Sequence, residues 1–281
     1  MLSKALCRNK NALCSLFTSL LLIVSLPSYA QGQTGNQELS LSAEAKARVL
    51  EIFDTFIEAN ATYRRELMDK YPLGQLPRDG DQDVKFPISV DDENFLISMG
   101  QSLLAQTNKD WELLYKIVTA LSRVPSNDRV VQFMSQTLHR EVKGSPGLYE
   151  RSTYTGAVGA LAEQGTDEAL QIVYAVAILP VRQTPGLLNY SGSSDDAMEF
   201  RLHIAKNAWT SILNVVQKNR VRPLMQKVAD QYPPDDSEYR KEIEIQLWVA
   251  ERIAADLPWR AIPYRESQSL TPKSFGNEIE Q

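Results

Sequence analysis

The sequence predicts an all-α protein, and three observations carry that prediction. Apolar residues recur at spacings of three and four through most of the chain, the period of a helix face turned toward a core. Pro, Gly and capping residues punctuate those stretches where helices start and stop. No alternating apolar–polar run of the kind a half-buried strand requires recurs anywhere.

The first 30 residues stand apart. Lys4, Arg8 and Lys10 form a basic start, and Leu16–Leu26 is an apolar run of about ten residues where a membrane span needs roughly 20. Ser28 and Ala30 supply small residues before polar Gln31, the layout of a cleavable secretory signal over 1–30. Both cysteines, Cys7 and Cys14, fall within it, so the mature chain is expected to hold no disulfide and no thiol. Setting Lys4, Arg8 and Lys10 aside from the 30 basic residues leaves 27 against 35 acidic ones, a balance of −8. That balance speaks against a nucleic-acid partner, which needs clustered positive charge. The signal and the absence of cysteine point to a bacterial periplasmic or secreted protein with no membrane span after cleavage.

Residues 31–41 read as a flexible lead, and one helical domain is expected over 42–257. Its first helix runs from Ser42 to Asp69, with Val49, Phe53, Phe56, Ile57 and Leu67 on one face, and stops before Pro72. Tyr71–Val90 is irregular, with Pro72, Gly74, Pro77, Gly80 and Pro87. Its alternating acids Asp79, Asp81 and Asp83 resemble the start of a calcium loop. The sixth and twelfth positions, which need Gly and Glu, are Val84 and Val90, so a solvated acidic turn is expected there. Asp91, Asp92 and Glu93 suit a helix N-terminus, followed by Phe95, Leu96, Met99, Leu103 and Leu104.

Thr107 to Asp110 has capping-box spacing and opens a helix carrying Trp111, Leu114, Val118 and Leu121, broken at Pro125. A helix over Asp128–Val142 follows, presenting Val131, Met134, Leu138 and Val142. Thr153–Val181 then reads as two helices broken at Gly165. Small Ala157 and Ala160 on the first face bulky Leu170, Val173 and Val176 on the second, which suits close antiparallel packing in the interior. A long loop over 182–194 ends where Asp195 and Asp196 cap a helix through Phe200, Ile204, Ala208, Ile212 and Val216. Helices over Val221–Ala229 and through Ile243, Leu247, Ala250 and Ile253 complete the domain. Pro258, Pro263 and Pro272 mark a non-helical tail over 258–281.

The helix pairs repeat one another. The stretch from Leu114 overlays the stretch from Tyr154 at a shift of 40 residues, with Ala120-Leu121 on Ala160-Leu161, Pro125 on Gly165 and Val130 on Leu170. A third such unit starts at Ala208. The phrase GALAEQGTDEAL, Gly159–Leu170, resembles the inter-helix turn of HEAT-like α-solenoid repeats. The resemblance covers about Lys109–Ala229 and lacks the basic residue usual in the second helix. It implies stacked antiparallel hairpins whose concave face binds another protein; an irregular helical bundle is the other architecture that fits the spacing.

Motifs for chemistry are sparse. His139 and His203 have no metal-ligand spacing, no GxSxG occurs, and no glycine-rich loop precedes a helix. Glu266-Ser267 lies in the tail without the Gly and Gln signatures of a lytic transglycosylase. The carboxylate pairs Asp54/Glu58 and Glu238/Glu242 read as solvated helix faces. No catalytic, cofactor or metal residue is therefore expected. Trp248, Arg252, Trp259, Arg260 and Tyr264 give the C-terminal region an aromatic and basic character, the residue types of interaction hot spots or of a terminal cap. The expectation is an exported, non-enzymatic scaffold that binds another envelope protein. A helical enzyme or small-ligand-binding protein with a carboxylate-lined pocket is the alternative. The loops at 72–90 and 182–195 are the first places to look for a binding face.

Overall fold

A computed structural model describes residues 41–71, 77–79, 88–233 and 237–257, all within one compact unit. Among them the chain forms α1 (Ala43–Lys70), α2 (Val90–Ala105), α3 (Trp111–Leu121), α4 (Asp128–Leu138) and β1 (Glu141–Lys143). There follow α5 (Leu148–Gln164), α6 (Asp167–Ala177), β2 (Asn189–Ser191), α7 (Ser194–Val215), α8 (Lys218–Ala229) and α9 (Ser237–Ala254). The fold is all-α apart from one pair of short strands.

Side-chain caps set most of the helix starts. Ser42, Ser89, Asp110, Asn127, Thr166 and Ser193 each accept a hydrogen bond from a backbone N–H in the first turn of the helix they precede. Two starts differ from the sequence expectation. The cap of α3 is Asp110, not Thr107, and α7 is capped by Ser193, whose hydroxyl also donates to Asp196 at 2.7 Å. In both places two candidate caps lie three residues or fewer apart, and the residue whose oxygen reaches the first-turn N–H wins. The hairpin turn falls where expected. Gly165 takes the left-handed conformation (φ 64°) that ends α5, and Thr166 caps α6.

The helices pack in two interleaved series. In one, α1, α3, α5, α7 and α9 each lie against the next; in the other, α2, α4, α6 and α8 do the same. The two series meet along α2–α3, α4–α5, α5–α6, α6–α7, α7–α8 and α8–α9. Helix α5 is the most enclosed, lying between α3 and α7 and backed by α4 and α6. It buries Tyr154, Ala157, Val158, Ala160, Leu161 and Ala162. Its small residues let neighbours approach: a Cβ on Gly156 would lie 3.2 Å from Val118 of α3. Between α2 and α4 the fit is tighter, since a Cβ on Gly100 would stand 2.4 Å from the Phe133 ring.

The turns at the ends of the hairpins are stitched together. Gln164 accepts from the Asn127 N–H at 2.9 Å and donates to the Val124 carbonyl at 3.2 Å, joining the α3–α4 turn to the end of α5. Arg220, at the start of α8, donates to the Gly165 carbonyl at 2.6 Å and pairs with Asp167. At the C-terminus of α6, the indole of Trp209 and the hydroxyl of Tyr232 both donate to the Ala177 carbonyl, at 2.9 and 2.8 Å. A buried helix end is thereby supplied with the partners it needs.

The expectation of a helix to Val142 is overturned. Helix α4 stops at Leu138, and Glu141–Lys143 instead pairs in parallel with Asn189–Ser191, Val142 opposite Tyr190. Val142 is still fully buried, but as a strand residue. Three residues are too few for alternation to show in a sequence, and the partner strand arrives from the long connection after α6. Helix α8 also starts earlier than expected, at Lys218, leaving Pro223 inside it.

Candidate functional site

The side chains singled out by the sequence sort into two groups. Trp248 and Arg252 sit one turn apart on α9, both half-buried, with the guanidinium 4.9 Å from the centre of the indole ring. That distance is within cation–π range. Trp259, Arg260 and Tyr264, and the Glu266-Ser267 pair, lie outside the described residues. Most of the acidic stretch after Asp79 does too.

Asp79 itself is described, and it does something the sequence did not suggest. Its carboxylate accepts from Arg123, just past α3, at 2.7 Å, and Arg123 also reaches Glu163 of α5 at 3.5 Å. The neighbouring Arg78 is almost fully buried and donates to the carbonyls of Leu213 and Val216, at 2.7 and 2.8 Å. These are the last carbonyls of α7, where a cation is favoured by the helix dipole as well as by hydrogen bonding. Two adjacent residues thus fasten the segment between α1 and α2 onto α3, α5 and α7.

Above this clamp is a cavity of about 290 Å³ walled by Tyr63, Leu67 and Met68 of α1, with Asp79, Arg123 and Asn214 among its polar groups. Burial, and then the Asp79 charge, push the Tyr63 hydroxyl above its ordinary pKa, so it stays a neutral donor and acceptor. No spacing in the sequence could have assembled these residues, which come from four separate segments.

The histidines have structural surroundings. His139 is the C-cap residue of α4 and its Nδ1 donates to the Ser135 carbonyl at 2.8 Å. Desolvation, and after it the Arg151 charge, hold His203 below the usual imidazole value. Among the described residues, no group of three or more His, Cys, Asp or Glu side chains is placed to hold a metal ion, and no helix is long and apolar enough to cross a membrane. Glu242, one of the paired carboxylates, forms an ion pair with Lys206 at 2.8 Å.

A second constellation lies where α3 and α5 begin. An aromatic series crosses three helices, from Trp111 to Tyr154 (ring centres 5.6 Å), Tyr154 to Phe200 (6.0 Å) and Phe200 to Tyr190 of β2 (5.7 Å). The Tyr154 hydroxyl donates to Glu150 at 3.0 Å, and Lys109 and Arg140 lie close by. Burial raises the Glu150 carboxyl above its ordinary pKa; burial, and then the Arg140 charge, lower that of Lys109. Sequence reasoning passed over this cluster because Lys109, Arg140 and Glu150 belong to three different segments.

Set against protein-family models, curated proteins and solved structures, the chain matches none of them.

Proposed function

We propose that the chain is an exported scaffold of the bacterial envelope, a HEAT-like α-solenoid that binds another protein and carries out no chemistry. One observation carries the architectural part. Odd-numbered helices pack on odd and even on even, and the turns joining successive pairs are hydrogen-bonded side by side through Gln164 and Arg220. Stacked helical hairpins pack in this manner, and the 40-residue self-similarity places Pro125 and Gly165 at corresponding turns. A stack of hairpins offers long faces to a partner.

The proposed contact surface is the C-terminal one, with Trp248 and Arg252 as its described members and Trp259, Arg260 and Tyr264 following them in the sequence. Aromatic and arginine side chains dominate binding hot spots. The test is crosslinking capture of the tagged chain, expressed with its leader in a Gram-negative host, beside a Trp248→Ala/Trp259→Ala version. The expected result is one reproducible envelope partner, captured by the unaltered chain and lost in the variant, with the exported form beginning at Gln31. Capture that is indifferent to the substitutions, or a chain retaining Met1 in the cytosol, would overturn the proposal.

The cavity beneath α1 supports a second reading, a small-ligand-binding protein. Its polar groups converge from four segments on a space about the size of small-molecule sites. A screen of metabolite-sized compounds by thermal shift tests it. A stabilising compound whose effect disappears in Tyr63→Phe would favour this reading over the scaffold.

A further inference from the structure

The start of α5 exposes what helix starts usually hide. Leu148 and Tyr149, its first two residues, are 77% and 42% exposed. Tyr149 leans on Tyr115 of α3, ring centres 6.0 Å apart, so the apolar surface continues from one helix to the next. Beside it runs a band of positive charge. Lys109, Arg140, Lys143 and Arg151 come from the α2–α3 connection, the end of α4, β1 and α5.

The negative charge in the same place comes from Glu141 and Glu150 and, near Arg151, from Asp196 and Glu199 of α7. Glu141 pairs with Lys143 at 3.6 Å, and Glu150 accepts from Tyr154. Arg151 is occupied by the Pro146 carbonyl at 3.0 Å and Lys109 by the Gln106 carbonyl at 2.9 Å, neither of which neutralises a charge. Arg140 is the exception. Its Nε is buried and has no hydrogen-bond partner, and among the described residues its guanidinium takes part in no ion pair. A buried guanidinium N–H without an acceptor is costly to hold. A carboxylate from outside would remove that cost by supplying the missing acceptor to Arg140.

We propose that this ledge, Arg140 and Lys109 with Leu148, Tyr149 and Tyr115, docks an acidic segment of a partner protein that also carries an apolar side chain. The carboxylate faces Arg140, and the apolar side chain lies across Leu148 and Tyr149. The complementarity is of two kinds at once, charge and exposed apolar surface, which is the composition of an interface core with its rim. The proposal rests on the scaffold reading but uses a different surface from α9.

The test is selection of a phage-displayed random dodecapeptide library on the full chain. Enrichment of peptides combining glutamate or aspartate with a leucine or aromatic residue is expected. A synthetic, fluorescein-labelled copy of the enriched peptide should bind less well by about tenfold or more, read by fluorescence anisotropy, in Arg140→Gln/Lys109→Gln. Leu148→Ser/Tyr149→Ser alters only exposed side chains and keeps the fold, and it should weaken binding severalfold. Affinity should fall as salt rises, as it does for screened charges. Enrichment without acidic residues, binding equal in all variants, or retention of phosphatidylglycerol vesicles in place of peptide would each overturn the proposal. An envelope partner lost in Trp248→Ala/Trp259→Ala but held by both ledge variants would sink the ledge and leave the scaffold standing.

Discussion

Helices α1 and α5 belong to the same series, and both contain well-spaced apolar residues, yet the molecule treats them differently. The 17 residues of α5 lie between four other helices and, past their exposed first turn, bury eight residues from Thr153 to Gln164. The 28 residues of α1 bury only Val49, Ile52 and Phe56, and nothing from Ile57 onward is fully buried. Leu50, Ile57 and Met68, which line up along one side of α1, remain 38%, 42% and 55% exposed. A helix at the end of a series has one neighbour where a central helix has several. Place in the series, more than apolar content, therefore decides how much stability each helix draws from burial.

The difference can be broken first at its strong end. Leu161→Ala in α5 empties a fully buried site and is expected to cost about 2–5 kcal/mol, measured by urea unfolding. Arg78→Met comes next. It leaves the Leu213 and Val216 carbonyls without their charged donor and should cost roughly 2–3 kcal/mol. A loss that large from the segment joining α1 to α2 would show that the connection, rather than the second half of α1, holds this end of the molecule. Gly100→Ala tests the packing directly. Its Cβ would meet the Phe133 ring at 2.4 Å, and overpacking of this kind costs about 1–3 kcal/mol. At the weak end, Ile57→Ser and Met68→Ser should each stay within about 0.5 kcal/mol of the unaltered chain.

A pH titration sharpens the comparison in another way. Burial raises the Glu150 carboxyl at the start of α5, so the folded chain holds that proton to higher pH than the unfolded chain. The group therefore favours folding in acid, and its contribution declines as pH rises from the ordinary glutamate value through the raised one. Glu150→Gln should flatten the stability profile over that window, seen as a smaller change in unfolding midpoint between mildly acidic and neutral buffer.

Much of this fold was legible because its signals are local. Gly165 followed by Thr166 announces the end of one helix and the cap of the next, and the structure places both in those roles. The apolar spacing of Val131, Met134 and Leu138 is enough to define the buried side of α4. What escaped was non-local. The β1–β2 pairing joins residues on either side of the α5–α6 hairpin, and no periodicity within Glu141–Lys143 announces it. The clamp at Arg78 and Asp79 depends on α3, α5 and α7 arriving at one place, as the ledge depends on Arg140 ending up beside Lys109. Trp248 and Arg252 were legible as aromatic and basic residue types, while their stacking across one helical turn is seen only in the structure.

Hydrogen exchange followed by mass spectrometry tests the contrast between α5 and α1 most directly. Amides of α5 are expected to exchange only when the whole chain unfolds, while those of 57–70 exchange through a smaller opening at much lower free energy. Equal protection of the two helices would contradict this contrast, and would mean that the far half of α1 draws as much stability from its surroundings as α5 does.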